Sequence, residues 1–107
     1  TEKNIAKMDL LNAGIFMFEG YKTVVINSSI KASIFSLIVF NAEKYKDVEQ
    51  IVVWSKNYKS DEYKISIRSK EHDCNIIAQK YKGNGHKQAS GFRVENIADF
   101  EKDLEKI

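Results

Sequence analysis

The run at residues 83–92 is the part of the chain best suited to chemistry, because it holds three of the five glycines and one of the two histidines. Glycine weakens regular elements and is kept where the backbone needs a positive φ or must approach another group closely. Asn84 belongs to a residue type that tolerates left-handed geometry, so the N–H groups of Gly83 to Gly85 could form a concave nest for an anion. His86 and Lys87 follow directly, and both side chains can donate hydrogen bonds to anionic oxygens. The run therefore predicts a backbone-lined anion pocket with an imidazole at its edge.

Two further features suit a phosphate group. Arg68 carries a planar guanidinium whose paired N–H groups match phosphate oxygens. Ala89, Ser90 and Gly91 are small enough to let a ligand lie against the backbone. Residues 56–93, which include all of these groups, hold nine basic and four acidic side chains, although the whole chain has a net charge of only +2. This local excess favours a small phosphate-bearing ligand over a long polyanion.

Each of these features also has a purely structural interpretation. Gly83 could simply end a helix and Gly85 could serve only in a turn, while Arg68 could be a solvent-facing strand residue. Trp54 and the tyrosines could stack on nucleobases, although such residues more often belong to a core or a sheet. Residues 72–74 (His, Asp, Cys) lack the spacing of a metal site, so we predict no metal ligands.

Length and composition indicate one ordinary globular domain. The chain has 107 residues, of which 43% are hydrophobic and none is proline, and this length supports a single core. Cys74 is the only cysteine, which excludes an internal disulfide and favours a reducing compartment, so we expect a cytoplasmic protein. The longest apolar stretch, at residues 34–40, is far too short to span a membrane.

The apolar pattern defines the elements that must position these groups. It predicts helices at residues 2–12, 30–42, 73–81 and 96–107, and strands at 15–19, 22–27, 50–55, 62–69 and 92–94. We expect Ser28 or Ser29 to cap the second helix and Gly83 to end the third in the left-handed conformation. The strand at 62–69 alternates cleanly, which places Arg68 on its polar face. The predicted fold is α/β, with a single mixed sheet of about five strands flanked by helices.

Three sequence motifs indicate a protein family when they are taken together. They are Ile65-Ser66-Ile67-Arg68-Ser69, then Asp73-Cys74-Asn75 with Ile77-Ala78, then Gly83-Asn84-Gly85-His86-Lys87-Gln88-Ala89-Ser90-Gly91-Phe92. This combination resembles the C-terminal, DHH-associated domain of the DHH phosphoesterases, in which a strand ending in Arg-Ser leads to a short helix and then to a Gly-Gly-Gly-His loop followed by Ala-x-Gly-Phe. The resemblance covers the whole chain in element order and residues 63–94 in motif detail. Asn84 departs from the middle glycine of that loop.

The resemblance implies a two-domain enzyme family that includes oligoribonucleases, cyclic-dinucleotide phosphodiesterases and RecJ-like exonucleases. In this family the N-terminal DHH domain holds two metal ions, usually manganese, and the C-terminal domain grips the substrate. Residues 1–107 would then be a single substrate-binding domain, a fragment without its metal-binding DHH partner, that binds a short oligonucleotide or dinucleotide. The implied substrate-binding residues are Arg68, Ser69, Gly83, Asn84, Gly85, His86, Lys87 and Ser90. No Asp-His-His run occurs in the chain, so it offers no ligands for two-metal hydrolysis, and we expect it to be catalytically silent on its own.

Two other functions remain open at this point. Similar domains occur at the end of alanyl-tRNA synthetases, so the chain could be a non-catalytic RNA-binding module. Such a module would need a longer basic track, and its binding would weaken steeply with salt. The chain could also be an interaction domain whose glycine run is only a turn, and it would then bind neither phosphate nor nucleotide.

Overall fold

Four α-helices and seven strands build the chain in the computed structural model, which describes all 107 residues. The helices are α1 (Glu2–Leu11), α2 (Ala32–Phe40), α3 (Asn75–Lys80) and α4 (Ala98–Glu101), and a short 3-10 helix lies at Glu43–Tyr45. The strands are β1 (Gly14–Phe18), β2 (Tyr21–Asn27), β3 (Gln50–Asn57), β4 (Glu62–Ser69), β5 (Asn84–His86), β6 (Ala89–Val94) and β7 (Leu104–Lys106). None of the helices is long and apolar enough to cross a membrane.

All seven strands belong to one sheet, in the order β5-β6-β4-β3-β2-β1-β7. Only β2 and β3 run parallel, and every other neighbouring pair is antiparallel. The parallel pair arises because α2 carries the chain back across the sheet between the two strands. The predicted single mixed sheet is confirmed. The expected count of about five strands is wrong, because a three-residue strand is added at each edge.

Helices cover both faces of the sheet and create two apolar cores. On the α2 face, α1 and α2 pack over β2 and β3, with Val24, Ile51 and Phe35 at the centre of the core. On the opposite face, here the α3 face, α3 and α4 pack over a core that includes Ile65 and Ile67. Because side chains alternate along a strand, Lys64, Ser66 and Arg68 of β4 point to the α2 face.

The end of the chain differs from the predicted helix. Only four residues form α4, after which Leu104–Lys106 pairs with β1 as strand β7. Ile107, the last apolar residue of the predicted helix, is 71% exposed. The apolar spacing of this segment matched a helix, but β1 offers an open edge whose N–H and C=O groups need partners. That long-range pairing is not visible in the local pattern.

The start of α2 is not capped by a serine. Lys31 occupies the N-cap position and its side chain makes no capping hydrogen bond. Ser28 lies instead in the loop before α2. Its Oγ donates to Asp9 Oδ2 over 2.6 Å and accepts from the N–H of Ile30 over 3.0 Å. The serine therefore ties α1 to the loop before α2, and the N–H groups of the first turn of α2 lack a side-chain acceptor.

The end of α3 also differs from expectation. Lys82, with φ of 64°, adopts the left-handed conformation that was predicted for Gly83. The N–H of Gly83 donates to the carbonyl of Ala78 over 2.8 Å, and the N–H of Lys82 donates to Gln79 over 3.1 Å. These two bonds form a Schellman motif in which lysine takes the place usually held by glycine.

Candidate functional site

The strand register brings Arg68 and His86 onto one face of the sheet. Arg68 of β4 pairs with Ala89 of β6, and Ala89 pairs in turn with His86 of β5. Residues directly opposite each other in antiparallel strands share a face, so all three side chains lie in one row on the α2 face. Neighbouring strands are about 4.8 Å apart, so the backbones of Arg68 and His86 are separated by about 10 Å. Only the methyl group of Ala89 stands between them.

Two neighbouring rows extend this surface. Gly91 of β6 lies between Asn84 of β5 and Ser66 of β4, and Arg93 pairs with Lys64 one row further along. We call this surface the basic face and define it by the residues of the three rows, namely Lys64, Ser66, Arg68, Asn84, His86, Ala89, Gly91 and Arg93. Its floor consists of small residues, and its rim carries cations and an imidazole.

The cations of the basic face have no acidic partners. The ion pairs of the chain are Lys46–Glu43, Lys56–Asp61 and Lys80–Glu19, and none of them involves this surface. Arg93 and Lys64 even lie directly opposite each other, an arrangement of like charges that is unfavourable unless an anion or solvent compensates for it. The basic face therefore carries a positive potential that the protein itself does not neutralise.

The beginning of α2 adds to this potential. A cavity of about 100 Å³ separates the segment leading into the helix from the strands, and Lys31, Lys64 and Ser66 are among its lining residues. The N-terminal end of a helix carries a partial positive charge, and the first turn of α2 has no side-chain cap to offset it. The helix dipole and the strand cations thus act in the same direction.

The glycine run forms an edge strand and not the predicted nest. Asn84, Gly85 and His86 are extended and pair with β6, and Asn84 does not have a positive φ. Successive N–H groups of an antiparallel strand point to opposite sides, so they cannot converge on one anion as a nest does. The side chains on the strands, more than a cradle of backbone N–H groups, define what this surface can bind.

The glycines of the run are required by close backbone packing. A Cβ on Gly83 would overlap the carbonyl oxygen of Gly91, and a Cβ on Gly91 would lie 2.7 Å from the carbonyl oxygen of Ile65. Gly85 has a φ of +152°, and a Cβ there would lie 2.5 Å from the Cα of Ser90. Glycine at 83 and 85 therefore holds β5 against β6 and so determines where His86 lies.

Besides Gly83 and Gly85, three other predicted site residues lie off the basic face. Ser69 is buried, and its Oγ donates to the carbonyl of His72 over 2.5 Å. Ser90 Oγ donates to the carbonyl of Cys74 over 3.0 Å. Lys87 lies in the turn between β5 and β6, where its carbonyl accepts from the N–H of Cys74 over 2.7 Å. The two serine side chains point to the α3 face. Their hydrogen bonds hold the loop at residues 70–74 against the sheet beside the β5–β6 hairpin.

A larger cleft adjoins the basic face where β5 begins. It has a volume of about 430 Å³, and its walls include Tyr81, Lys82, Lys64 and Arg93. Tyr81 stacks on Phe92 with ring centroids 4.2 Å apart, and its hydroxyl donates to Asp103 over 2.5 Å. Burial and the Asp103 carboxylate raise the pKa of Tyr81 above its ordinary value. The phenol stays protonated and rigidly held, so this wall of the cleft is fixed.

The arrangement can bind an anion, but it does not fit a catalytic metal. No group of three or more His, Cys, Asp and Glu side chains is placed to hold a metal ion. The residues therefore do not match the manganese site that the family resemblance associates with hydrolysis.

The sequence-based prediction did not include Lys64, Ser66 and Arg93. Lys64 and Ser66 share the alternation of Arg68 along β4, so the period-two pattern could have added them. Arg93 joins the surface only through the register of β6 against β4, and register depends on long-range pairing that the local sequence does not specify.

Comparison with known proteins identifies the domain type. The sequence profile of the DHHA1 domain matches residues 21–107. No curated protein sequence matches the chain.

Several solved structures share the fold. A pGpG-specific phosphodiesterase, PggH, from Vibrio cholerae superposes with a TM-score of 0.66 at 10% identity, over 94% of this chain and 36% of that one. An exopolyphosphatase-related protein from Bacteroides fragilis gives a TM-score of 0.64 at 19% identity, over 95% of this chain and 34% of that one. An uncharacterized protein from Helicobacter pylori G27 gives 0.63 at 14% identity, over 94% and 29%. The chain thus spans about a third of the length of these structures.

Proposed function

Because the chain belongs to the DHHA1 domain family, we propose that it binds the substrate of a metal-dependent phosphodiesterase that acts on short oligonucleotides or dinucleotides. Arg68 and His86 hold one phosphate group between them, above the methyl group of Ala89. Lys64 and Arg93 neutralise charge further along the same strands. One protein that shares the fold is a pGpG-specific phosphodiesterase, and this supports the dinucleotide class.

The observation that carries this proposal is the shared row of Arg68, Ala89 and His86. A guanidinium can donate two parallel hydrogen bonds to phosphate oxygens, and an imidazole can donate from the opposite side in either protonation state. Both groups start from backbones about 10 Å apart, which leaves room for a phosphate between two long side chains. The unpaired cations around them favour an anionic ligand over a neutral one.

In this proposal the chain contributes position and charge, and no bond-breaking groups. Fixing the substrate in one orientation and neutralising its phosphate both lower the barrier for an attack that occurs elsewhere. Hydrolysis needs a set of ligands that this chain does not hold. We propose that a DHH domain supplies those ligands with its manganese ions, since the structures that share this fold are about three times as long.

A nuclear magnetic resonance titration of the ¹⁵N-labelled chain with a 5′-phosphorylated dinucleotide tests the proposal. We expect the amides of residues 84–93 to shift in a saturable way. His86→Ala and Arg68→Ala should each weaken binding by about 10- to 150-fold, because a hydrogen bond to a charged group contributes about 1.5–3 kcal/mol. Lys44→Ala removes an exposed lysine outside the basic face and should leave binding unchanged.

Two results would contradict the proposal. If millimolar dinucleotide shifts no amide of β5 or β6, the basic face is not a nucleotide site. If a long single-stranded RNA binds and the dinucleotide does not, the alternative of an RNA-binding module is the better description.

A further inference from the structure

Another cleft lies beside the hairpin that joins β3 and β4. It has a volume of about 380 Å³ and is lined by Asn27, Ser29, Trp54, Ser55, Lys56, Tyr58, Tyr63 and Ile97. We call it the hairpin cleft. Trp54 pairs with Ile65 across the two strands, so the indole lies on the α3 face, opposite the basic face. Tyr63 precedes Arg68 by five residues of β4, a distance of about 17 Å along the strand.

Aromatic rings form much of this cleft. The rings of Trp54 and Tyr63 have centroids 5.9 Å apart and planes inclined at 59°. Lys56 Nζ lies 5.3 Å from the centroid of Tyr58 and 5.7 Å from that of Tyr63. Tyr58 is 86% exposed, so one ring of the cluster stands open to solvent. An open tyrosine and a half-buried tryptophan line the same cleft, and their rings provide flat apolar surface on which a planar ligand can stack.

The charges of the hairpin cleft are compensated, unlike those of the basic face. Lys56 Nζ pairs with Asp61 Oδ1 over 3.2 Å, and this carboxylate raises the pKa of Lys56. The ammonium group therefore remains protonated and paired, which leaves little free positive charge for a phosphate. Asn27 and Ser29 are exposed at the wall of the cleft and offer amide and hydroxyl groups to the edge of a planar ligand.

We propose that the hairpin cleft binds a nucleobase, stacked against the ring of Tyr58 next to Trp54. The choice of a nucleobase rests on the proposed function, because a ligand whose phosphates bind the basic face also carries bases. The cleft volume lies within the range of small-molecule sites, and aromatic platforms recognise bases by their faces without reading sequence. The base can belong to a free nucleoside or to a nucleotide further along a bound strand.

Trp54 provides a direct readout, because it is the only tryptophan of the chain. Fluorescence of the wild-type chain is measured with excitation at the red edge of tryptophan absorption while adenosine, and separately a short single-stranded oligoadenylate, is added. We expect saturable quenching by both ligands, with the oligonucleotide binding more tightly because it also reaches the basic face. Quenching by adenosine alone shows that the cleft takes a base without help from phosphate.

Variants at Tyr58 test the stacking directly. Tyr58→Ala should weaken adenosine binding by roughly 5- to 150-fold, the range found when one stacking ring is removed. Tyr58→Phe is the matched control and should bind as the wild type does, since it keeps the ring and loses only the hydroxyl. The high exposure of Tyr58 makes both variants compatible with folding.

The failure of this inference can be distinguished from the failure of the proposed function. His86→Ala should leave adenosine quenching of Trp54 intact, because the two sites lie on opposite faces. If the dinucleotide shifts the amides of β5 and β6 while adenosine and oligoadenylate leave Trp54 unchanged, the inference is wrong and the proposed function stands. If adenosine fails to quench and an apolar peptide does so instead, the cleft belongs to a protein partner and the inference is also wrong.

Discussion

His72 lies between an aromatic ring and a buried amide. Its imidazole stacks on Tyr21 with ring centroids 3.5 Å apart and planes inclined by 4°. Its Nε2 lies 2.7 Å from Gln50 Oε1, while Gln50 Nε2 donates to the carbonyl of Phe18 and to Thr23 Oγ1. The Gln50 oxygen is thus left as an acceptor, so His72 Nε2 carries the proton and donates it. This network joins the 70–74 loop to the start of β3.

The surroundings of His72 make the stability of the fold depend on pH. Burial lowers the pKa of His72 from its ordinary value of 6.5, although the nearby charges of Glu49 and Asp73 oppose that shift. The unfolded chain therefore binds more protons than the folded chain in the window between the lowered pKa and 6.5. We expect the free energy of unfolding to be highest above pH 6.5 and to decrease as the pH falls through that window.

Urea unfolding at a series of pH values between 7.5 and 5.5 measures this effect. His72→Phe keeps a stacked ring and removes the titrating group, so its free energy of unfolding should change less with pH than that of the wild type. His86→Ala is the control and should retain the dependence due to His72. Equal pH profiles for the wild type and His72→Phe would show that another group is responsible.

At the level of elements, β5 determines the position of His86, and Gly83 determines the position of β5. A side chain at 83 would overlap the carbonyl oxygen of Gly91. Gly91 belongs to β6, which cannot easily move aside because it is also paired with β4. Gly83→Ala should destabilise the chain by about 1–3 kcal/mol, the usual cost of inserting a group into a packed site. It should also abolish hydrogen-exchange protection at the amides of β5, because the strand must move away from β6.

Gly20→Ala provides the matched comparison for this substitution. Gly20 has a φ of +87° and no atom within 4 Å of a Cβ built there. An alanine at 20 therefore suffers only backbone strain, about 1 kcal/mol, and should leave the exchange of β5 unchanged. If both variants leave the protection of β5 intact, the close approach of Gly83 to β6 does not hold the strand.

Long, regular elements were predictable from the sequence, and short ones that depend on tertiary pairing were not. The alternation of β4 over eight residues and the continuous apolar run at the start of β3 identified the two strands. β5 is three residues long and exposed at every position, so it has no apolar pattern, and the glycines within and around it suggested a loop. β7 consists of Leu104, Glu105 and Lys106, which are ordinary helix formers, and only the open edge of β1 makes it a strand.

The candidate site was predictable to the same extent. The chemistry of Arg68 and His86 could be inferred from residue type, and the polar side of β4 from alternation. The alternation of β4 could also have added Lys64 and excluded Ser69. The faces on which Ser90 and Arg93 lie depend instead on the register of β6 against β4. A shift of one residue in pairing moves every side chain of a strand to the other face.

At the level of the whole molecule, the two faces of the sheet carry different chemistry. The α2 face presents unpaired cations on a floor of small residues, and the α3 face presents aromatic rings beside a compensated charge at the hairpin. A net charge of +2 conceals this division, because the acidic residues are concentrated outside the segment that forms the basic face. Electrostatic binding should therefore be confined to one side of the molecule.

The confinement of charge leads to a prediction about salt. A 5′-phosphorylated dinucleotide brings at most two phosphates to the basic face. For single strands, the logarithm of the binding constant falls linearly with the logarithm of the salt concentration, with a slope of about −0.7 for each phosphate contacted. Between 50 and 200 mM salt the affinity for the dinucleotide should decrease by about sevenfold or less. An RNA-binding module that contacted 6–10 phosphates would lose roughly 10³- to 10⁵-fold in affinity over the same interval.

Adenosine, which is uncharged, should bind the hairpin cleft equally well at both salt concentrations. Isothermal titration calorimetry with the two ligands at four salt concentrations measures both slopes, and a steep slope for the dinucleotide would contradict a site that contacts at most two phosphates.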